Sequence, residues 1–327
     1  MASTKILFTG ATGYVGGSIL STILQQDADF LSKYSLSVLM RKEEQARVFS
    51  AQGVNTILFS SLDDTEFLQK VAREHDVIIN AAFGPHTAAA VAFVTGLGDR
   101  KKQTGKEVHY LHISGTSTMS DQPLSGAFLE DRIFSDTEDI FSYEKYRESK
   151  TNYPLRTTDV ALTEAGLLLG VNTTIIMPPE IHGTGSGLFN ANSIQAPAVV
   201  RHALKHGQAA YIGDGKGIWD YVHVSDVANL FEIVISKILR GEEVPTGTRG
   251  IIFSSAGRFT WQQFSEYAGE ALFKRGAISI KEAKSITLEE AGDWYGGSAY
   301  YVELAFASNS RTNADVARDL GWVPKKT

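Results

Sequence analysis

Short apolar segments alternate with longer amphipathic ones through the first half of the chain. Unbroken apolar runs predict strands at 6–9, 36–40, 56–59, 77–80, 108–114 and 173–177. Helical spacing of apolar residues predicts helices near 15–26, 43–52, 65–74, 86–98 and 157–169. Because the strands do not alternate apolar and polar residues, we expect both of their faces to be buried, as in a parallel sheet. The pattern therefore predicts a doubly wound α/β fold.

The pattern changes after residue 178. A glycine-rich loop at 183–187 precedes a predicted helix at 195–206, and short strands are expected at 209–213, 221–224 and 251–254. We predict a sheet domain over 1–182, with returning strands in about 209–254. Residues 183–208 and 255–327 would form a smaller, discontinuous C-terminal lobe that binds the substrate. In such folds ligands bind at the carboxyl edge of the sheet, so we expect the lobe to rest there.

The turn after the first strand carries glycines at 10, 13 and 16, and an apolar helical pattern follows at once. This arrangement directs backbone N–H groups and the positive end of a helix at a diphosphate. A purely structural tight turn is the alternative, but the position between strand and helix favours a dinucleotide site. The expected cofactor contacts in this turn are Gly10, Thr12, Gly13, Tyr14, Val15 and Gly16.

The end of the second strand indicates which dinucleotide is bound. Enzymes that prefer NAD usually carry an acidic residue there, which binds the ribose hydroxyls. This chain has Arg41 and Lys42 instead, and a guanidinium suits the additional phosphate of NADP. We therefore predict NADP(H), with NAD(H) as the alternative, although the charged residues 41–44 could also form a solvated loop.

Composition narrows the classes of function. The chain has 327 residues, a net charge of −6 and no cysteine, which excludes disulfides and thiolate catalysis. His202 and His206, four apart on a predicted helix, are interpreted as a solvated face, and we expect no metal site. We see neither a secretory leader nor an apolar run of the ~20 residues that a membrane span requires. We expect a cytoplasmic protein whose partner is a small-molecule substrate rather than nucleic acid or a membrane.

Several motifs in order resemble those of one family. Residues 9–16 look like TGxxGxxG, 80–82 like the motif after its fourth strand, and 177–183 like LRPxxVYG; residues 219–228 resemble fvHVdDvA and 317–324 resemble reLGwxP. The chain thus resembles the extended or atypical short-chain dehydrogenase/reductases, the NAD-dependent epimerase/dehydratase-like group. The resemblance implies a Rossmann sheet and makes a homodimer plausible. It also implies cofactor contacts at Leu62, Asn80, Ala81, Ala82, Ser114, Pro178 and Ile181.

The resemblance also implies catalytic residues: a hydroxyl at Thr116 and a Tyr-x-x-x-Lys pair, here Tyr146 and Lys150. Pro154 follows four residues later and would break a helix that continued past the lysine, at a cost of roughly 3 kcal/mol. We therefore expect the long helix to begin near Pro154, with Tyr146 and Lys150 in a loop or short insertion. Two alternatives are Tyr153 acting with Arg156, and the absence of this dyad altogether.

The resemblance places His182 near the nicotinamide, and Trp219 and Tyr221 as walls of the substrate pocket, although each could instead have a structural role. The leading hypothesis is an NADP(H)-dependent oxidoreductase that transfers a hydride between the nicotinamide and a small or medium organic carbonyl or alcohol. One alternative is an epimerase or dehydratase with tightly held NAD(P). The other is a non-catalytic NAD(P)-binding sensor.

Overall fold

A computed structural model describes residues 3–292 and 298–326. The strands within these ranges are β1 (Lys5–Thr9), β2 (Ser35–Met40), β3 (Asn55–Leu58), β4 (Val77–Asn80), β5 (His109–Ile113), β6 (Phe134–Ser135), β7 (Asn172–Met177), β8 (Glu180–His182), β9 (Ala210–Ile212), β10 (Ile218–His223), β11 (Ile251–Phe253), β12 (Gly257–Thr260), β13 (Lys284–Ile286) and β14 (Thr312–Asn313).

The helices described in the same ranges are α1 (Tyr14–Gln26), α2 (Phe30–Lys33), α3 (Glu43–Ser50), α4 (Thr65–Ala72), α5 (Thr87–Thr104), α6 (Ile140–Lys150), α7 (Pro154–Leu169), α8 (Gln195–His206), α9 (Val224–Leu239), α10 (Trp261–Lys274), α11 (Ala299–Phe306) and α12 (Asp315–Asp319). Short 3₁₀ turns lie at Thr116–Met119 and Gly247–Arg249. None of the helices in the described ranges combines the length and apolar character needed to cross a membrane.

A parallel sheet with helices on both faces forms the larger part of the protein. In the described residues its seven strands have the order β11-β7-β5-β4-β1-β2-β3, and every neighbouring pair is parallel. The apolar side chains of β1, Ile6, Leu7 and Phe8, are fully buried because both faces of the sheet are covered. The predicted doubly wound α/β fold is confirmed, and its sheet is of the Rossmann type.

Three smaller sheets lie outside this one in the described residues, one of them the parallel pair of β6 and β14. β8 pairs in parallel with β10, which also pairs antiparallel with β12, while β9 pairs with β13. Of the strands expected to return in 209–254, β11 therefore joins the large sheet, whereas β9 and β10 do not. Pro178 and Pro179 explain the division, because proline cannot donate to a strand ladder and the chain changes sheet between β7 and β8.

α6 and α7 are separate helices, and the break between them lies where Pro154 predicts it. α7 begins at Pro154, in the first helical turn, where the missing N–H costs nothing. Tyr153 occupies the cap position and has no side-chain capping bond. Tyr146 and Lys150 lie on α6 rather than in the expected loop, because Asp139 caps that helix by accepting from the N–H of Ser142.

Candidate functional site

The turn between β1 and α1 can be built only from glycine at two positions. Gly10 has φ of +83°, and a Cβ there would lie 2.2 Å from the carbonyl oxygen of Ala81. A Cβ on Gly16 would lie 2.2 Å from the carbonyl oxygen of Gly10. α1 starts directly after Gly13, so its first amide groups have no partner within the helix and can bind an anion. The turn therefore fits a nucleotide diphosphate.

Two clefts meet at this turn, on the carboxyl edge of the sheet. Their volumes are about 450 and 590 Å³. Gly13, Ala81 and Ala82 line both clefts. Of the other predicted cofactor contacts, the first cleft is lined by Tyr14, Val15, Gly16, Ser114, Pro178 and Ile181, and the second by Gly10, Thr12, Arg41, Lys42 and Leu62. The two clefts therefore adjoin at the glycine turn, and together they are called the trough.

Asn80 is the predicted cofactor contact that the structure places elsewhere. Its side-chain oxygen accepts a hydrogen bond of 2.6 Å from the Thr9 hydroxyl, and its amide donates to the Tyr110 hydroxyl at 2.8 Å. These bonds hold Asn80 within the sheet, where it is buried. The family motif at 80–82 therefore contributes its two alanines to the trough, while its asparagine joins β1 to β4 and β5.

The second cleft carries charge of both signs. Arg41 and Lys42 are exposed at its rim, and the Lys42 ammonium lies 4.0 Å from a carboxylate oxygen of Glu44. Asp63 also lines this cleft, 3.1 Å from the imidazole of His86. Hydrogen bonds from Ser61 and His86 keep the pKa of Asp63 below its usual range. The second cleft thus presents two exposed cations at its rim and a carboxylate on its wall.

In the first cleft, two hydroxyl groups lie next to each other, close along the chain to the predicted catalytic residue Thr116. The Tyr153 hydroxyl donates to Oγ of Ser117 at 3.0 Å, and both residues line the cleft. The hydroxyl of Thr116, the predicted residue, is buried and has no hydrogen-bond partner in the described part of the chain. Thr116 and Ser117 both line the cleft, but it is the Ser117 hydroxyl that Tyr153 contacts. Ser117 is thus a site residue that sequence reasoning missed.

Arg156 lies next to Tyr153, with its guanidinium carbon 5.3 Å from the centre of the tyrosine ring. The guanidinium donates to the carbonyl oxygens of Thr118 and Thr151, both at 2.8 Å. Burial lowers the pKa of Arg156, but these bonds and the nearby Glu148 carboxylate keep the charge in place. A fixed cation therefore lies against the aromatic face, within the range of a cation–π contact.

The predicted pair Tyr146 and Lys150 lies away from both clefts. Tyr146 is 53% exposed on α6, and the Lys150 ammonium lies 5.6 Å from the centre of its ring. Neither residue belongs to the described residues that line the trough. Because the chain breaks before Pro154, Tyr146 and Lys150 lie on α6, whereas Tyr153 caps α7. The Tyr-x-x-x-Lys spacing of the pair therefore does not bring it to the cofactor cleft.

A buried acidic group lies beneath Ser114. The Ser114 hydroxyl donates to a carboxylate oxygen of Asp159 at 2.5 Å. Burial raises the pKa of Asp159 to about 8 and lowers that of His112, 4.0 Å away, to about 4. Glu144 on α6 is also fully buried, and burial together with the charge of Asp159 raises its pKa. The floor of the cleft is therefore largely uncharged near neutral pH.

Of the three predicted substrate residues, the structure places one in the first cleft. Trp219 lines it, held by a 2.9 Å bond from its indole N–H to the Ser308 hydroxyl. His182 does not, because Ile181 faces the cleft and successive strand residues point to opposite faces. Tyr221 lies further along β10, where its ring covers Gly257. Separately, His202, interpreted as solvated, is buried on α8.

Loop 183–193 and helix α11, both within the segments expected to form the substrate-binding lobe, supply lining residues that the sequence did not single out individually. The described lining residues from these parts and the start of α8 are Asn190, Asn192, Ser193, Ile194, Gln195, Tyr301, Leu304 and Ala305. The Tyr14 hydroxyl donates to the carbonyl oxygen of Gly183 at 2.7 Å, which ties this loop to α1. These contacts join residues more than 100 positions apart, so no local pattern indicates them.

The glycine turn at the carboxyl edge of a doubly wound sheet defines a Rossmann-fold protein. Comparison with known families agrees. Residues 2–97 match the NmrA-like family, and residues 134–246 match the NAD dependent epimerase/dehydratase family. Two separate parts of the chain are therefore similar to these two families, in agreement with the resemblance of its motifs.

Individual relatives cover nearly the whole chain at low identity. The oxidase ucsJ of an Acremonium species is 25% identical over 98% of this chain and 92% of its own length. A UDP-glucose 4-epimerase of Azospirillum brasilense is 24% identical over 99% of this chain and 88% of its own. The solved structure of the Streptomyces venezuelae dTDP-glucose 4,6-dehydratase DesIV, with NAD bound, has a TM-score of 0.63 at 15% identity and covers 98% and 92% of the two chains.

Proposed function

We propose that this protein is an NADP(H)-dependent oxidoreductase that interconverts a small or medium organic carbonyl compound and its alcohol. One observation carries the proposal: a trough that begins at Arg41 and Lys42, crosses the glycine turn and ends at the Ser117–Tyr153 pair. The name of one relative, an oxidase, supports redox chemistry for this chain.

The chain's own residues would hold the cofactor along the trough. The first turn of α1 would bind the diphosphate through its free amide groups. Arg41 would bind the additional phosphate of NADP, with Lys42 adding positive charge. Ser114, Pro178 and Ile181 line the other end and would contact the nicotinamide.

A bound nicotinamide supplies hydride transfer: a carbonyl compound, a hydride and a proton give the alcohol while the cofactor is oxidised. Ser117 and Tyr153 would both hydrogen-bond the substrate oxygen. The Tyr153 hydroxyl would give its proton to that oxygen as the hydride reaches the carbonyl carbon, and solvent would then return the proton. Arg156 would stabilise the phenolate in place of the family's lysine.

A non-catalytic NAD(P)-binding sensor is the second candidate. The exposed position of Tyr146 and Lys150 favours it, since the family's Tyr–Lys pair does not reach the trough. The two candidates predict the same cofactor binding and differ in turnover alone.

Titration calorimetry with NADP and NAD tests the cofactor, and consumption of NADPH with a panel of aldehydes and ketones tests turnover. We expect NADP to bind more tightly, and Arg41→Ala to reduce that preference by about tenfold, as loss of one charged hydrogen bond should. Tyr153→Phe should lower kcat by about 10²–10⁴ if the hydroxyl transfers the proton. Tyr267→Phe, the same change on the exposed face of α10, serves as the control.

The outcomes separate the candidates. Binding without turnover of any carbonyl compound would favour the sensor. Turnover that survives Tyr153→Phe within a few-fold would remove the role given to the tyrosine. If neither nucleotide binds, both candidates fail.

A further inference from the structure

Every described side chain that lines the first cleft is uncharged. Its polar members carry hydroxyl, amide or indole N–H groups: Tyr14, Ser114, Thr116, Ser117, Tyr153, Asn190, Asn192, Ser193, Gln195, Trp219 and Tyr301. The rest of the lining is glycine and apolar residues. Residues 293–297, which the structure does not describe, have the sequence Asp-Trp-Tyr-Gly-Gly and so contain neither lysine nor arginine.

A charged substrate would be poorly stabilised in such a cleft. Removing an ionised group from water is costly unless a countercharge and hydrogen bonds replace the solvent. The diphosphate of a nucleotide-linked sugar carries charge that proteins usually bind with arginine or lysine. The start of α8 offers amide groups at the rim, but Pro197 in its first turn removes one N–H and the Gln195 side chain donates to the carbonyl of Ala305.

In the first cleft, the hydrogen-bonded hydroxyl pair and the apolar walls are contributed by different residues. Ser117 and Tyr153 are hydrogen-bonded to each other at one position. Apolar and aromatic side chains surround much of the remaining space: Leu155, Ile194, Trp219, Tyr301 and Leu304. A ligand with one polar oxygen and an apolar body matches this distribution, since the oxygen reaches the hydroxyl pair while the body displaces water from apolar walls.

We infer that the substrate is an uncharged, largely apolar carbonyl compound or the corresponding alcohol, and not a nucleotide-linked sugar or a carboxylate. The inference rests on the proposed function for its chemistry, but its claim about charge concerns the cleft itself. The inferred substrate differs from the nucleotide-linked sugars in the names of two similar proteins, UDP-glucose and dTDP-glucose.

The test uses two probes that differ by one charge: benzoylformate and its methyl ester. Each is titrated calorimetrically into protein saturated with NADP, and each is offered as substrate with NADPH. We expect the ester to bind at least about tenfold more tightly, because the anion loses solvation without gaining a countercharge. UDP-glucose should show no binding in the same titration.

Ile194→Lys places a cation at the cleft and gives an independent check. Ile194 is 62% exposed, so the substitution should leave the fold intact. We expect the ester-to-anion affinity ratio to fall by about tenfold, since an ammonium within several ångströms of a carboxylate attracts it even at a partly exposed site. Leu168→Lys, 85% exposed on α7 and outside the described lining, is the control and should leave the ratio unchanged.

The results distinguish this inference from the proposed function. Preferential binding of the ester without turnover would support the inference and count against the oxidoreductase. Equal or tighter binding of the anion or of UDP-glucose would overturn the inference, even if carbonyl reduction is observed. An unchanged affinity ratio in Ile194→Lys would also overturn it.

Discussion

Asp159 is a buried carboxyl group with one hydrogen bond that reaches the cleft, through Ser114. The groups that face it are Arg156 from its own helix, Glu144 from α6, and Tyr110 and His112 from β5. Desolvation outweighs the nearby arginine and raises the pKa of Asp159 to about 8. The residue therefore retains a proton through most of the neutral range.

Asp159→Asn should reduce the pH dependence of stability. Folded protein keeps the Asp159 proton to about pH 8, whereas an unfolded aspartate loses it near about pH 4. The free energy of unfolding therefore falls as pH rises between these values, because the folded state binds more protons. Urea unfolding from about pH 5 to about pH 8 should show a shallower fall in the variant.

The exposed Asp214 provides the matched control for this measurement, since Asp214→Asn leaves the buried group untouched. An identical pH dependence in Asp159→Asn and the parent protein would contradict the assignment. Asparagine can still accept the Ser114 hydrogen bond, so a loss of packing does not explain a change in slope.

Single residues at the site were predictable where a backbone rule dictates them. The glycines and Arg41 follow from the geometry of a strand–turn–helix unit and the position of the second strand's end. Ser117 was not, because the resemblance indicates Thr116 and only the tertiary structure shows which of the two hydroxyl groups is bonded to Tyr153. Tyr153 remained one of three alternatives, because the sequence does not show which tyrosine reaches the cleft.

At the scale of elements, the turn between β1 and α1 combines a left-handed backbone with close packing. Gly10→Ala would place a methyl group against the carbonyl of Ala81, whereas Gly105→Ala, at φ of +68°, would meet no atom within 4 Å. Both changes incur the left-handed penalty of about 1–2 kcal/mol. We expect Gly10→Ala to be a further 1–3 kcal/mol or so less stable, because of overpacking.

Urea unfolding of the two variants measures that difference, and calorimetry with NADP measures its effect on the site. Gly10→Ala should also weaken nucleotide binding, because the turn must shift to admit the methyl group. Equal losses of stability in both variants would mean that the close approach to Ala81 carries no cost.

The order and type of the main elements followed from the sequence pattern. Apolar runs gave the strands of the large sheet to within one residue at most ends, and α8 matches its predicted bounds. The break at Pro154 was also predictable, since proline restricts helix geometry locally. α6 was not expected, because its segment is strongly charged and shows weak apolar periodicity.

At the scale of the whole molecule, the chain crosses repeatedly between the large sheet and the smaller sheets. β11 returns to the edge of the large sheet, and the Asp220 carboxylate on β10 accepts from Arg258 at 2.7 Å and from the Thr312 hydroxyl at 2.8 Å. The predicted division at 182/183 and 254/255 remains a prediction. Strand pairing over such separations depends on tertiary contacts, which local propensity does not encode.

The exposed position of Arg41 and Lys42 has a consequence for how the protein responds to salt. Mobile ions screen exposed charges over about 8–10 Å near physiological ionic strength. Raising the salt concentration from about 0.05 M to about 0.5 M should therefore weaken NADP binding severalfold and change NAD binding much less. Calorimetry at both concentrations checks this, and equal attenuation for the two nucleotides would mean that the arginine does not hold the extra phosphate. If NADP binding weakens more than NAD binding, discrimination between the nucleotides is a property of the surrounding electrolyte as well as of the protein.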